Sequence, residues 1–93
     1  MRVVSNRALI DFAGTYPAAR VPLQAWRRAI QTGTFAGFAD LKVAFRSVDK
    51  VGRVFVSDIG GHEFRPVAAI HFDRQILYVC HVLTHREYDD WTP

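Results

Sequence analysis

The chain has 93 residues, room for one small domain and little more, so a single domain spanning residues 1–93 is expected. Apolar residues make up 49% and charged residues 23%, a globular balance that argues against disorder, and no apolar run is long enough for a signal peptide or membrane span, so a cytoplasmic protein is expected. The formal charge is +3, and all the basic residues except Lys42 and Lys50 are Arg, whose planar fork matches phosphate; charge alone divides evenly between nucleic-acid binding and a solvated surface.

Met1 to Val4 is short and β-branched and reads as a first strand. Ser5 or Asn6 caps a first helix, in which Leu9, Phe12, Ala13 and Tyr16 follow the spacing of one buried face; Pro17 ends it. A second helix is predicted from about Val21 to Thr32, with Pro22 in its first turn, an apolar stripe of Leu23, Trp26 and Ile30, and Gly33 as its stop. Asp40 caps a short third helix carrying Leu41, Ala44 and Phe45.

After Lys50 the period changes to two. Arg53 to Ile59 reads as a strand with Val54 and Val56 on one face, followed by a hairpin turn at Gly60-Gly61. His62 to Phe72 is the next strand, Asp73-Arg74 the next turn, and Gln75 to Leu83 the last strand. The order predicts an α+β fold, an N-terminal strand and two to three helices packed on an antiparallel β-meander, closed by a short C-terminal helix. The lone Cys80 sits in an apolar run and is expected to be a buried, reduced thiol.

The tail carries a sharp local signal. Thr84 and Glu87 form a capping box, which starts a helix directly after the last strand. Leu83 and Tyr88 take the two positions of a hydrophobic staple, and Trp91 falls on a similar face. His85 and Arg86 then occupy the first two helical positions, where backbone N–H groups favour a phosphate.

The residue types exclude several chemistries. His81 and His85 stand far apart along one face of a strand, Cys80 points the other way, and there is no second Cys, so a structural metal is disfavoured. No G-x-S-x-G and no Gly-rich phosphate loop occurs. A metal-independent ribonuclease needs less, because the RNA's own 2′-OH is the nucleophile. The protein must take that proton, stabilise the phosphorane and protonate the leaving oxygen. Lys50, His62, Arg65, His81, His85, Arg86 and Tyr88 gather around the sheet end with side chains able to do this.

Plain structural readings stand beside these. Tyr88 serves equally as a staple residue, and Arg65 as the ion-pair partner of Asp58 or Glu63. His85 and Arg86 also suit an exposed first turn, and Lys42, Arg46, Lys50 and Arg53 a solvated basic stretch. A two-residue turn at Asp73-Arg74 pairs Arg65 with Val82 and puts Arg65 and His85 on opposite faces. A turn of odd length, a bulge or edge at Pro66, or a bend at Thr84 would each bring them together.

Several segments carry a family resemblance: Val48-Asp49-Lys50-Val51-Gly52, Asp58-Ile59-Gly60-Gly61, Phe64-Arg65, Ala68-Ala69-Ile70-His71-Phe72, and above all His81-Val82-Leu83-Thr84-His85-Arg86-Glu87-Tyr88-Asp89-Asp90-Trp91. With the N-terminal Val-Ser-Asn, the Pro-Leu-x-x-Trp of the second helix and Phe-Ala-Asp-Leu-Lys, the whole chain resembles the HigB toxins. The resemblance implies a RelE-like fold and an mRNA interferase of a type II toxin–antitoxin system, commonly cutting mRNA at the ribosome. Its implied partners are a HigA-type helix-turn-helix antitoxin, mRNA and the ribosome, with operator DNA reached only through the antitoxin and no membrane. It implies no cofactor and no metal. By position, the family's working residues fall on Arg65, Lys50, His85, Arg86 and Tyr88. Arg65 would stabilise the scissile phosphate, His85 act as general base or acid, Lys50 and Arg86 hold phosphate, and Tyr88 orient the substrate. The alternative function is a non-catalytic RNA- or ribosome-binding module using the same basic groups.

Overall fold

The computed structural model describes residues 1–91. Strand β1 (Arg2–Val4) leads into helix α1 (Asn6–Thr15); a single 3-10 turn (Pro17–Ala19) joins it to α2 (Arg20–Thr32), and α3 (Phe38–Ala44) follows. Then come β2 (Asp49–Val51), β3 (Val54–Val56), β4 (Phe64–His71), β5 (Ile76–Thr84) and α4 (His85–Asp90). The α+β order is the expected one, with more in the sheet than the meander alone. Five strands lie in the order β1-β5-β4-β3-β2. β1 runs parallel to β5, pairing Val3 with Leu77, so the first strand lies beside the last.

The helical half follows its periodicity. Leu23, Trp26 and Ile30 of α2 are buried, and Gly33 ends the helix as expected. In α1 only Leu9 is fully buried; Tyr16 stays exposed because the chain turns off at Pro17. Ser5 holds the N-cap position without a side-chain cap bond, and Asn6 instead accepts from Gln24 at 2.7 Å. The N-cap of α3 is Gly37 rather than Asp40, whose carboxylate reaches back from the first turn to the Ala36 amide at 3.0 Å. Leu9, Leu23, Ile30 and Leu41 meet Phe55, Phe64, Ala68 and Leu77 from one face of the sheet, forming the core. Phe55 anchors that layer, tilted against Phe38 and edge-on to Phe72.

The sheet corrects the expected boundaries. The strand expected over Arg53–Ile59 shortens to Val54–Val56, and a further short strand, Asp49–Val51, precedes it, because Gly52 (φ +62°) opens a two-residue turn, Gly52-Arg53, between Val51 and Val54. The Gly60-Gly61 hairpin turn is a longer loop closed by an Ile59–Phe64 bridge, so β4 begins at Phe64 and not at His62. The Asp73-Arg74 turn also widens, because the last pair of its hairpin is His71 with Ile76. Gln75 turns there with φ +54°, and its side chain is a clamp. Its amide accepts from the Phe35 N–H at 3.0 Å and donates to the carbonyls of Phe35 at 2.6 Å and Phe72 at 2.7 Å.

The decisive departure lies in β5. Near the turn, Ala68 pairs with Val79; beyond it, Val67 pairs with His81, so Cys80 is an extra residue in a β-bulge. Excluded from the alternation, Cys80 is exposed rather than buried. The bulge shifts every later pair by one: Arg65 lies opposite Leu83, not Val82. The conflict over Arg65 and His85 is thereby resolved.

Candidate active site

The site is built where the end of the β4–β5 hairpin meets α4. Thr84 caps α4 as expected: its hydroxyl accepts from the Glu87 amide at 3.1 Å, and the Glu87 carboxylate accepts from the Thr84 amide at 2.8 Å. The His85 amide donates to the Glu63 carbonyl at 2.8 Å, tying the helix start to the loop before β4. That loop is unusual, since Gly60, Gly61 and His62 all have φ near the left-handed region, at 64°, 66° and 73°. Glycine adopts such angles readily, and His62 does so against preference.

Arg65 is the centre of the cluster, with a side chain only 12% exposed. Its Nη1 donates to Asp58 Oδ1 and to the His62 carbonyl at 3.2 Å. Asp58 Oδ2 in turn accepts from His62 Nδ1 at 2.5 Å. Ser47 holds the Asp58 backbone from both sides, donating to its carbonyl at 2.9 Å and accepting from its amide at 3.3 Å. On the other edge of the guanidinium, Nη2 donates to His85 Nδ1 at 2.9 Å. A guanidinium has no acceptor, so this bond uses a lone pair on Nδ1 and puts the His85 proton on Nε2. His85 Nε2 lies 3.6 Å from Asp89 Oδ2. The guanidinium carbon sits 5.5 Å from the centroid of the Tyr88 ring.

The two edges of Arg65 are therefore unequal. Asp58 fixes one and offsets its charge. The other is bound only to a neutral imidazole, and a phosphate oxygen would replace that partner with a gain in electrostatic energy. Arg65 and Tyr88 open into a cleft of about 170 Å³ shared with Ser47, Asp49, Val56 and Asp58. On the far side of His85 lies a wider, mostly apolar concavity of about 480 Å³, bordered by Tyr16, Pro17, Glu63, Phe64 and Arg86.

Three of the five residues proposed from the sequence, Arg65, His85 and Tyr88, are thus brought together, with Arg65 meeting each of the other two. Arg86 is exposed beside the second concavity. Lys50 stands apart: it pairs with Phe55, whose side chain faces the helices, whereas Asp49 pairs with Val56 on the Arg65 side. Of the remaining candidates, His62 joins the cluster through Asp58, while His81 packs against Trp91. Ser47 was missed, because no local signal in the sequence joins it to Asp58 eleven residues on. Among the described residues, no group of three or more His, Cys, Asp or Glu could hold a metal ion.

The fold and cluster define a class: a small α+β protein with an arginine set in a polar cage, one edge available to an anion, on a hairpin overlaid by a short C-terminal helix. Comparison with known proteins narrows the class. Residues 19–91 match the family model of HigB toxins, described as the RelE-like toxic component of a toxin–antitoxin system. The chain is 36% identical to the mRNA interferase toxin HigB of Escherichia coli K12 and to an mRNA interferase HigB of Shigella flexneri, in each case over 99% of this chain and 91% of the relative. It is 28% identical to an mRNA interferase HigB of another Escherichia coli strain, O6:H1, over 99% of this chain and 92% of the relative. The chain belongs to the HigB toxin family.

Proposed function

We propose that this chain is an endoribonuclease toxin that cuts mRNA, most effectively on the ribosome, and is silenced by a HigA-type helix-turn-helix antitoxin. The observation that carries the reading is the Arg65–His85 hydrogen bond, in which an anion-ready guanidinium and an imidazole nitrogen with a free electron pair occupy each other. A scissile phosphate entering the cleft takes the Nη2 edge of Arg65 and releases Nδ1 of His85. His85 then accepts the proton of the adjacent 2′-OH. The 2′-oxygen forms a new bond to phosphorus, and the bond to the 5′-oxygen breaks. The 5′-oxygen takes a proton from the Tyr88 hydroxyl or from water. The products are a 2′,3′-cyclic phosphate and a 5′-hydroxyl. Arg65 stabilises the negative charge that builds on the phosphorane oxygens, and Asp58 keeps it in place. Tyr88 orients the nucleotide, Arg86 supplies positive charge at the rim, and Lys50 contacts RNA backbone away from the reacting atoms.

The family name of the relatives and the chemistry of the cluster support this reading over a module that only binds RNA or ribosomes. One substitution separates the two. His85→Ala removes the base and leaves the cationic groups, so mRNA cleavage should disappear in a translating extract while ribosome or RNA binding stays within a few-fold of wild type. Cleavage by His85→Ala at the wild-type rate would refute the role of His85, and an uncut message with wild-type protein would favour the binding module.

A further inference from the structure

On the sheet face that carries Arg65, the aromatic rings do not end at Tyr88. Tyr88 stacks on Trp91, with centroids 5.9 Å apart and planes at 27°, and Trp91 meets the edge of His81 at 6.0 Å. The rings continue the line begun by the guanidinium over Tyr88. Trp91, His81 and the bulged Cys80 border a third cleft, of about 480 Å³, with Gly52, Arg53 and Val54 of the β2–β3 turn on its other side. Its size falls within the range of about 300–1,000 Å³ typical of sites for small organic groups. Arg53 is exposed, and among the described residues no carboxylate pairs with it. The bulge at Cys80 breaks the strict alternation here, so that Cys80 and the next residue, His81, both border one cleft.

We infer that this cleft is a nucleotide subsite: it receives one base of single-stranded RNA next to the scissile phosphate, stacked on Trp91 and edged by His81, with the neighbouring phosphate held by Arg53. Three observations favour RNA as the occupant. The cleft adjoins the Arg65 cleft through the Tyr88–Trp91 stack. An exposed cation, Arg53, with no carboxylate partner among the described residues, stands at its rim. An aromatic platform beside a cation is the arrangement that holds single strands without reading a long sequence. The inference rests on the ribonuclease reading above and extends it from the reacting phosphate to the flanking nucleotide. It makes Trp91 a base-stacking residue and Arg53 a backbone contact.

The test is to induce the wild-type chain, Trp91→Ala, Trp91→Phe and Arg53→Gln in a bacterium, normalise to soluble folded protein, and map new mRNA 5′ ends. Loss of the stacking platform should lower Trp91→Ala cleavage roughly ten- to hundred-fold and flatten the nucleotide preference at a position beside the cut. Trp91→Phe keeps a ring and should retain most of the activity. Arg53→Gln, at an exposed turn where folding is not at stake, should lower cleavage several-fold at all sites alike, since phosphate contacts carry no sequence information. Wild-type cutting unchanged in Arg53→Gln and in folded Trp91→Ala would overturn the subsite and leave the ribonuclease reading intact. No new ends with the wild-type chain would overturn the ribonuclease reading and the subsite together.

Discussion

Replacing Arg65 by Lys tests whether the geometry of the guanidinium, rather than its charge, makes the site. Arg65 bonds Asp58 and the His62 carbonyl through Nη1 and His85 through Nη2, while its guanidinium carbon lies over the Tyr88 ring. A Lys ammonium can keep the charge opposite Asp58, but its donors radiate from one atom and cannot span both edges. The expected loss of stability is that of one charged hydrogen bond, about 1.5–3 kcal/mol. The expected loss of activity is larger, about 10²–10³-fold, the usual effect of removing a preorganised donor to a developing oxyanion. Arg65→Ala should cost more stability than Lys, because it leaves the Asp58 carboxylate, whose side chain is only 19% exposed, without its cation and with His62 as its remaining side-chain partner. Breaking a fully buried pair costs about 3–5 kcal/mol, and partial exposure here lowers that to about 2–4 kcal/mol. Urea denaturation of the three proteins, with cleavage rates in a translating extract, measures both quantities. Wild-type cleavage by Arg65→Lys, or a wild-type midpoint for Arg65→Ala, would refute the reasoning.

Thr84→Ala removes one arm of the capping box and should cost about 1 kcal/mol; because α4 carries His85 and Tyr88, cleavage should fall while the near-UV spectrum of the core is kept. Gln75→Ala opens the clamp on Phe35 and Phe72 and should cost about 1–3 kcal/mol, read as a lower unfolding midpoint with unchanged cleavage sites. The Cys80 thiol should react fully with a thiol reagent in the native protein without denaturant; reaction only on unfolding would contradict the bulge. Nitrogen-15 NMR of His85 should show an unprotonated Nδ1 and a protonated Nε2 in the free protein, with the Nδ1 signal changed in Arg65→Ala; the opposite tautomer would exclude the Arg65 hydrogen bond.

How far the sequence could be read depended on how local each signal was. The α2 stripe of Leu23, Trp26 and Ile30 and the capping box at Thr84 and Glu87 were legible because helix periodicity and capping need only neighbouring residues. The short strand β2 was hidden in what read as a solvated basic stretch, Lys42 to Arg53, since three residues carry too little alternation to register. The parallel pairing of β1 with β5 joins segments more than seventy residues apart, which no local pattern encodes. The site was half legible. Arg65, His85 and Tyr88 stood out by type and position, and the pairing of Arg65 with Asp58 was foreseen as an alternative. That Arg65 and His85 share a face was not, because a bulge at Cys80 leaves no mark on hydrophobic alternation. Lys50 joins them in the sequence only through its expected place at the sheet end and the family resemblance, and the pairing with Phe55 shows that it leaves on the other face.

If the Arg65–His85 cluster makes this HigB-family chain cut RNA through the substrate's own 2′-OH, the products carry 5′-hydroxyl ends. The most direct measurement is a map of RNA ends from cells expressing the wild-type chain or the Arg65→Ala/His85→Ala double variant, using ligation chemistry that captures 5′-hydroxyl ends separately from 5′-phosphates. New 5′-hydroxyl ends within translated messages are expected for the wild type and none of them in the double variant at equal levels of folded protein. Ends bearing 5′-phosphates, or the same 5′-hydroxyl ends in both strains, would contradict it.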